Sequence, residues 1–417
     1  MENDERGIDK LELRVILEDF AKHSFLDSTR DRFQNLKFIK NKADYEKRKV
    51  SVERYLSEIA PYSPLSAYKI EKADIAAERI FRINGQLEKS DIKCVSSALS
   101  FICILNKSNR NYIKDIFELD LDTSVTQKTA VEMSRLIDDE GEIISNASPE
   151  LARIRREKDS LLNRQQKIIN QTIKTYEKML MEDKVTLLDN RIVLQVDMHQ
   201  KNNVKGVLHA YSNSKKTAFI EPEELVLFNN QITELEQDEV VEIQRILESY
   251  RERLVSDESA KTALTKLICE LDFINAIAVY MENKKAGFAF LSNEINLKRC
   301  YHPIIKKTKL DKAVPISLSL EKNSSLMITG PNMGGKTALL KTIGLACLTV
   351  KSGLPIIADE GSTVVLFDRI LADIGDDQSI EDGISTFASH IINYKRFLDE
   401  AGENTLVLLD EIGTGTS

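Results

Sequence analysis

Apolar residues recur at helical spacing through the first 145 or so positions. Leu13, Ile16, Leu17 and Phe20 mark one stripe, and Val52, Tyr55, Leu56 and Ile59 another that breaks at Pro61 and Pro64. The pattern predicts a helical core over residues 1–147. Ser148 then suits an N-cap and Pro149 the first helical position, and Leu151, Ile154, Leu161 and Ile168 continue a long stripe through Ile173, Tyr176 and Leu180. A second stripe follows Pro222, at Leu225, Phe228, Ile232, Leu235, Ile243, Leu247, Tyr250 and Leu254. Two long helices of matching length are expected to pair antiparallel as a coiled-coil arm over 148–255, and a helix of about thirty residues spans about 45 Å. A buried helical hairpin would carry the same stripes. Between them, Ile192-Val193-Leu194-Gln195-Val196 is strand-like, so a small β tip is expected at about 190–221. Residues 256–298 are expected to return to the core as a helix, and 299–417 to form an α/β lobe. The predicted class is multi-domain α plus α/β.

Composition narrows the setting. A chain of 417 residues exceeds the roughly 250–300 over which one core grows, and 42% hydrophobic content is ample for two or three domains. Glu2, Asp4, Glu5, Arg6, Asp9 and Lys10 leave no secretory signal at the N-terminus, so a cytoplasmic protein without a membrane partner is expected. The most apolar long stretch, 338–358, carries Lys341, Lys351, Gly353 and Pro355, and reads as a helix on a sheet rather than a span. Cys94, Cys103, Cys269, Cys300 and Cys347 show no paired spacing and read as reduced core thiols. Although net charge is −8, no acidic residue lies between Met198 and Ile220, where Lys201, Lys205, Lys215 and Lys216 stand. These four are the candidate nucleic-acid contacts. Lysines offer point charges without a bidentate fork, which favours salt-dependent backbone contact over base reading. Ordinary lysines on a solvated hairpin would give the same pattern.

The chemistry concentrates near the C-terminal end of the sequence. Gly330-Pro331-Asn332-Met333-Gly334-Gly335-Lys336-Thr337 matches the phosphate-binding pattern G-x-x-x-x-G-K-[ST]. Leu326-Met327-Ile328 predicts a strand entering it, and Ala338 to Ile343 a helix leaving it. In that context backbone N–H groups close on the phosphates of ATP, Lys336 reaches the β- and γ-phosphates, and the Thr337 hydroxyl holds Mg²⁺. Thr405 to Leu409 is a buried-strand run ending in Asp410-Glu411. Asp410 is placed to support the metal, and Glu411 to act as general base on the attacking water. An Asp followed at once by a Glu on one strand resembles ABC-type ATPases.

Residues 329–337 also resemble the phosphate loop of the MutS family almost residue for residue. Further segments agree: His302-Pro303, Asp376 to Ile380 leading into Ile384-Ser385-Thr386-Phe387, and Asp410 to Ser417. The resemblance implies that Ser385 reaches the γ-phosphate of the opposite subunit of a homodimer. Alone, Ser385-Thr386-Phe387 reads only as a turn or helix start. Ser148 to Leu151, Gly206 to His209, Thr217 to Pro222 and Asn229-Asn230 resemble the MutS branch without mismatch-recognition domains, which suppresses recombination and is linked to rescue of stalled ribosomes. The resemblance thus implies an ATP-dependent clamp on branched or duplex DNA, with ribosomal nucleic acid as a further partner. A nucleotide-regulated binding module without hydrolysis and a structural ATPase of the SMC type are the competing expectations. Val314-Pro315-Ile316 departs from the family where an adenine-contacting aromatic often stands. The chain stops at Ser417, soon after Asp410, whereas such ATPases continue beyond the acidic strand, so a fragment is expected.

Overall fold

A computed structural model describes residues 9–308, 313–331, 334–374 and 386–411. Helices α1 (Leu13–Ala21), α2 (Asp27–Gln34) and α3 (Lys42–Arg54) come first, α3 running into a π-helical turn at Tyr55–Ile59. Then come α4 (Ala73–Phe81), α5 (Asp91–Ser108), α6 (Arg110–Phe117), α7 (Ser124–Ser134) and the long α8 (Pro149–Tyr176). Strands β1 (Leu180–Leu188), β2 (Arg191–Asp197), β3 (Gly206–Tyr211) and β4 (Thr217–Pro222) lead to the second long helix, α9 (Glu223–Ser256). The chain continues through α10 (Glu258–Thr262), α11 (Ile268–Lys284), β5 (Phe290–Leu291), β6 (Glu294–Cys300), α12 (Pro303–Thr308) and β7 (Ile316–Glu321). It closes with α13 (Lys336–Lys351), β8 (Thr363–Val364), β9 (Arg369–Asp373), α14 (Thr386–Glu400) and β10 (Thr405–Leu409).

These elements form two compact units. One comprises residues 1–78, 97–127 and 258–417, the other 79–96 and 128–257. In the first, α1 buries Leu13, Ile16, Leu17 and Phe20, the predicted stripe. They face α11, which is buried nearly all round and stacks Tyr280 on Phe20 and Phe273 on Phe33, with ring centroids 3.8 and 4.6 Å apart. The fully buried Asp272 of α11 accepts from the N–H groups of Phe25 and Leu26, fixing the chain before α2. Lys285, at φ +53°, ends α11, and β6 then crosses residue 299, the expected start of the α/β lobe. Strands β5, β8, β6 and β7 make one sheet in that order, and β9 and β10 a parallel pair.

The strand expected at Leu326-Met327-Ile328 does not form. Among the described residues the run has no ladder partner, and Met327 is 86% exposed. Three apolar residues make a strand only when a neighbouring strand takes their N–H and C=O groups.

In the second unit, Ser148 caps α8 by accepting from Leu151 N–H at 3.0 Å, with Pro149 at the first helical position. Helices α8 and α9 pack antiparallel, since Ser148 bonds Glu242, Arg155 bonds Glu239 and Gln165 bonds Asn229. Beside Leu151, Ile154 and Ile169, the buried residues of α8 include the polar Gln165 and Thr172, and those of α9 include Asn229 and Glu242. A seam that alternates apolar contacts with paired polar ones favours a single register, because a slip would strand buried donors and acceptors. Leu180, read as the end of the first stripe, instead opens β1 opposite Val196, as α8 ends at Tyr176. The sheet order is β1-β2-β4-β3, over a core of Tyr176, Leu194, Val196, Val204, Ala218 and Ile220. Each large side chain buried there contributes about 1.5–3 kcal/mol.

Candidate nucleotide-binding site

The phosphate loop is described at Gly330, Pro331 and Gly334 to Thr337; Asn332, Met333 and Ser385 lie outside the described residues. Gly335 holds φ at +89°, a left-handed conformation that side chains disfavour, and serves as N-cap of α13. A β-carbon on Gly334 would stand 2.9 Å from the Pro331 carbonyl oxygen. The helix therefore starts sharply at Lys336, and its capping residue has no side chain to cover the first N–H groups. An exposed helix N-terminus of this kind carries partial positive charge and suits a phosphate. Lys336 Nζ donates to the carbonyls of Gly330 at 2.8 Å and Pro331 at 3.2 Å, which keeps the ammonium against the loop.

The second motif meets the first directly. Asp410 follows β10, is buried, and donates its backbone N–H to the Asp373 carbonyl at 2.9 Å. Its carboxylate accepts from the Thr337 hydroxyl at 2.6 Å, across 73 positions of sequence. A hydroxyl and a carboxylate in contact are hard oxygen donors, the set that Mg²⁺ takes, so the residues present fit that ion. Glu411 is exposed and left-handed at φ +51°, an unusual conformation for a non-glycine residue and one often found at functional sites. Close packing under the loop depends on Gly344 of α13, where a β-carbon would come within 2.4 Å of Leu408 and 2.7 Å of Leu11.

Motif reading passed over a second carboxylate beside this pair. Asp373 ends β9 with no exposed surface, and its Oδ1 receives Lys10 Nζ at 3.2 Å and Asn393 Nδ2 at 2.9 Å. The signal available was an acidic residue closing the apolar run Ile370-Leu371-Ala372, the same form as Asp410. His302 is buried, and neither ring nitrogen finds a partner among the described residues; burial lowers its pKa, which favours the neutral ring.

The four lysines of the second unit are not all together. Lys201 lies over the Tyr211 ring at 5.3 Å from its centroid, with Nζ 3.3 Å from the hydroxyl. Lys215 and Lys216 occupy the exposed β3–β4 turn, where the Lys216 carbonyl accepts from Met198 N–H. Lys205 is at the other end of β3, its carbonyl bonded to Glu223 N–H.

Comparison with known proteins agrees with these motifs. A family model described as MutS domain V matches residues 326–417. A protein named Endonuclease MutS2 from Thermotoga sp. strain RQ2 is 32% identical over 414 residues, 98% of this chain and 53% of its own length. One of the same name from Bacillus velezensis is 31% identical over 432 residues, covering 99% and 53%. A third, from Thermotoga neapolitana, is 36% identical over 337 residues, covering 80% and 44%. The chain thus spans about half the length of the curated relatives it matches. With MutS2 proteins aligned along almost all of it and the domain V match over its phosphate loop and acidic strand, this chain belongs to the MutS family, in its MutS2 branch.

Proposed function

We propose that the chain is an ATP-dependent nucleic-acid clamp that binds and hydrolyses ATP with Mg²⁺ and acts on DNA. The observation that carries this reading is the Thr337–Asp410 contact, which brings the hydroxyl of the phosphate loop onto the carboxylate of the acidic strand. The loop N–H groups and Lys336 hold the β- and γ-phosphates, while Thr337 and Asp410 hold the metal. Bound Mg²⁺ supplies charge neutralisation on the phosphate oxygens. Glu411 orients the attacking water and takes its proton. Ser385 completes the site of a partner subunit in a homodimer that ATP strengthens.

The nucleic-acid contact is assigned to the sheet of the second unit, held by the α8–α9 pair acting as a coiled-coil arm. Lys201, Lys215 and Lys216 meet the phosphate backbone there, with Lys205 at the far end of β3. Branched or duplex DNA is the first substrate of this reading and the nucleic acid of a stalled ribosome the second.

Steady-state ATP turnover tests hydrolysis. Glu411→Gln is expected to lower kcat by at least about a hundredfold with little change in KM. Nucleotide binding without turnover in the unmodified chain would replace the reading by a nucleotide-regulated binding module. For the nucleic-acid contact, Lys201, Lys215 and Lys216 changed together to Gln should lower the salt slope of DNA binding by about three, uniformly across sequences. An unchanged slope would remove the assignment.

A further inference from the structure

The nucleotide site has a support that comes from the opposite end of the chain. In the β9–β10 register Asp373 lies opposite Leu409, and the Asp373 carbonyl receives the N–H of Asp410. The Asp373 backbone therefore fixes the strand end from which the Asp410 carboxylate reaches Thr337. The Asp373 side chain, at 0% exposure, keeps its charge in such a place only with donors around it. Lys10 supplies the cation and Asn393 an amide. Lys10 is separated from Asp373 by 363 positions and is not a loose surface charge. The next residue, Leu11, is fully buried against Gly344 of α13, and Glu12 pairs with Lys341 of the same helix at 3.5 Å. Three consecutive residues thus engage β9 and the helix that the phosphate loop opens.

We propose that Lys10 is a positioning residue of the nucleotide site. Through Asp373 it holds the end of β10 so that the Asp410 carboxylate keeps its place beside Thr337 for the metal of a magnesium nucleotide. The proposal rests on the reading of Thr337 and Asp410 as the metal-holding pair. Lys10 reaches the site through the Asp373 carboxylate, so its loss is expected to act on the metal-dependent share of nucleotide affinity and to spare the share supplied by the loop. A merely structural clip would weaken both shares or neither.

The test is equilibrium binding of a fluorescent ATP analogue to the 417-residue chain, with Mg²⁺ and with EDTA. Lys10→Met is expected to weaken binding about tenfold in Mg²⁺ and to leave the EDTA value within about twofold, while Lys10→Arg recovers most of the loss. If Lys10→Met fails to fold because the buried Asp373 carboxylate loses its cation, the neutral pair Lys10→Met with Asp373→Asn takes its place and should show the same Mg²⁺-selective loss. Equal weakening in both media, or Mg²⁺-dependent binding left intact, overturns the proposal alone. An unmodified chain that binds no better with Mg²⁺ than with EDTA overturns the reading of Thr337 and Asp410, and the proposal with it.

Discussion

Asp410 and Glu221 are both carboxylates at or near a strand end, 8% and 1% exposed, yet their surroundings differ in kind. Glu221 receives Arg191 Nη1 at 2.7 and 2.9 Å, Asn229 Nδ2 at 2.7 Å and His209 Nε2 at 2.7 Å. Burial alone would raise its pKa; hydrogen bonds from Asn229, His209 and Arg191 outweigh that and hold it below the ordinary carboxylate value. Asn229 extends the network to Gln165 of α8 and to the backbone of Ile192 in β2. Asp410 has one side-chain donor among the described residues, a neutral hydroxyl, and no paired cation. It also stands beside an exposed helix N-terminus. A buried carboxylate whose protein donors already include a cation is scaffold, joining sheet to helices. One left short of a cation beside the 330–337 loop is what the proposed metal-holding role of Asp410 requires.

Removing the saturated carboxylate should have the largest effect on stability. Glu221→Ala removes the acceptor shared by Asn229, His209 and Arg191 and leaves the Arg191 guanidinium without a carboxylate, and is expected to cost about 2–4 kcal/mol in urea unfolding of the second unit, with nucleotide affinity unchanged. A loss below about 0.5 kcal/mol would break the contrast with Asp410.

Asp272 sharpens the contrast, because here burial wins. Its carboxyl is raised from 3.8 to about 6 by desolvation, against hydrogen bonds from the Leu26 and Phe25 backbone that favour its charge. A folded pKa above the unfolded one adds stability below about pH 4 that is lost as the pH rises to about 6, on the order of 3 kcal/mol. Glu221, with its pKa lowered, has the opposite sign: its contribution is present above the unfolded value of 4.5 and is lost as the pH falls. Unfolding of the unmodified chain and of Asp272→Asn from pH 4 to 7 should show the advantage of the unmodified chain shrinking up to about pH 6. A pH-independent gap would contradict it.

Gly344→Ala probes the ground under the nucleotide site. Its methyl group meets Leu408 and Leu11, so a loss of about 1–3 kcal/mol is expected in the first unit, together with weaker nucleotide binding. Full stability and full binding would mean that close packing of α13 is not required.

Folding brings Thr337 and Asp410 into contact, and the glycine-rich run ending in Lys336-Thr337 and the strand run leading into Asp410 were visible as short motifs in the sequence. So was the start of α8, where Ser148 and Pro149 act locally. The seam between α8 and α9 was legible only in part. Counting apolar positions skips Gln165, Thr172, Asn229 and Glu242, whose burial depends on partners from the other helix. Strand formation at Leu326-Met327-Ile328 failed for a related reason, since a ladder is made by neighbours and not by the run itself. Lys10 and Asp373 show no pattern at all in sequence, and only folding brings them to 3.2 Å. The four lysines at 201–216 were visible as charge, but their division between the β3–β4 turn and the far end of β3 follows from strand pairing.

The most direct test of the central claim, that Thr337 and Asp410 together hold the metal of a bound nucleotide, is calorimetric titration of ATP with and without Mg²⁺ into the unmodified chain and Asp410→Asn. The account predicts Mg²⁺-dependent binding that the substitution weakens about a hundredfold, to the level seen without the ion, with unfolding unchanged within about 0.5 kcal/mol. Equal affinity for ATP in the two proteins in the presence of Mg²⁺ would contradict it.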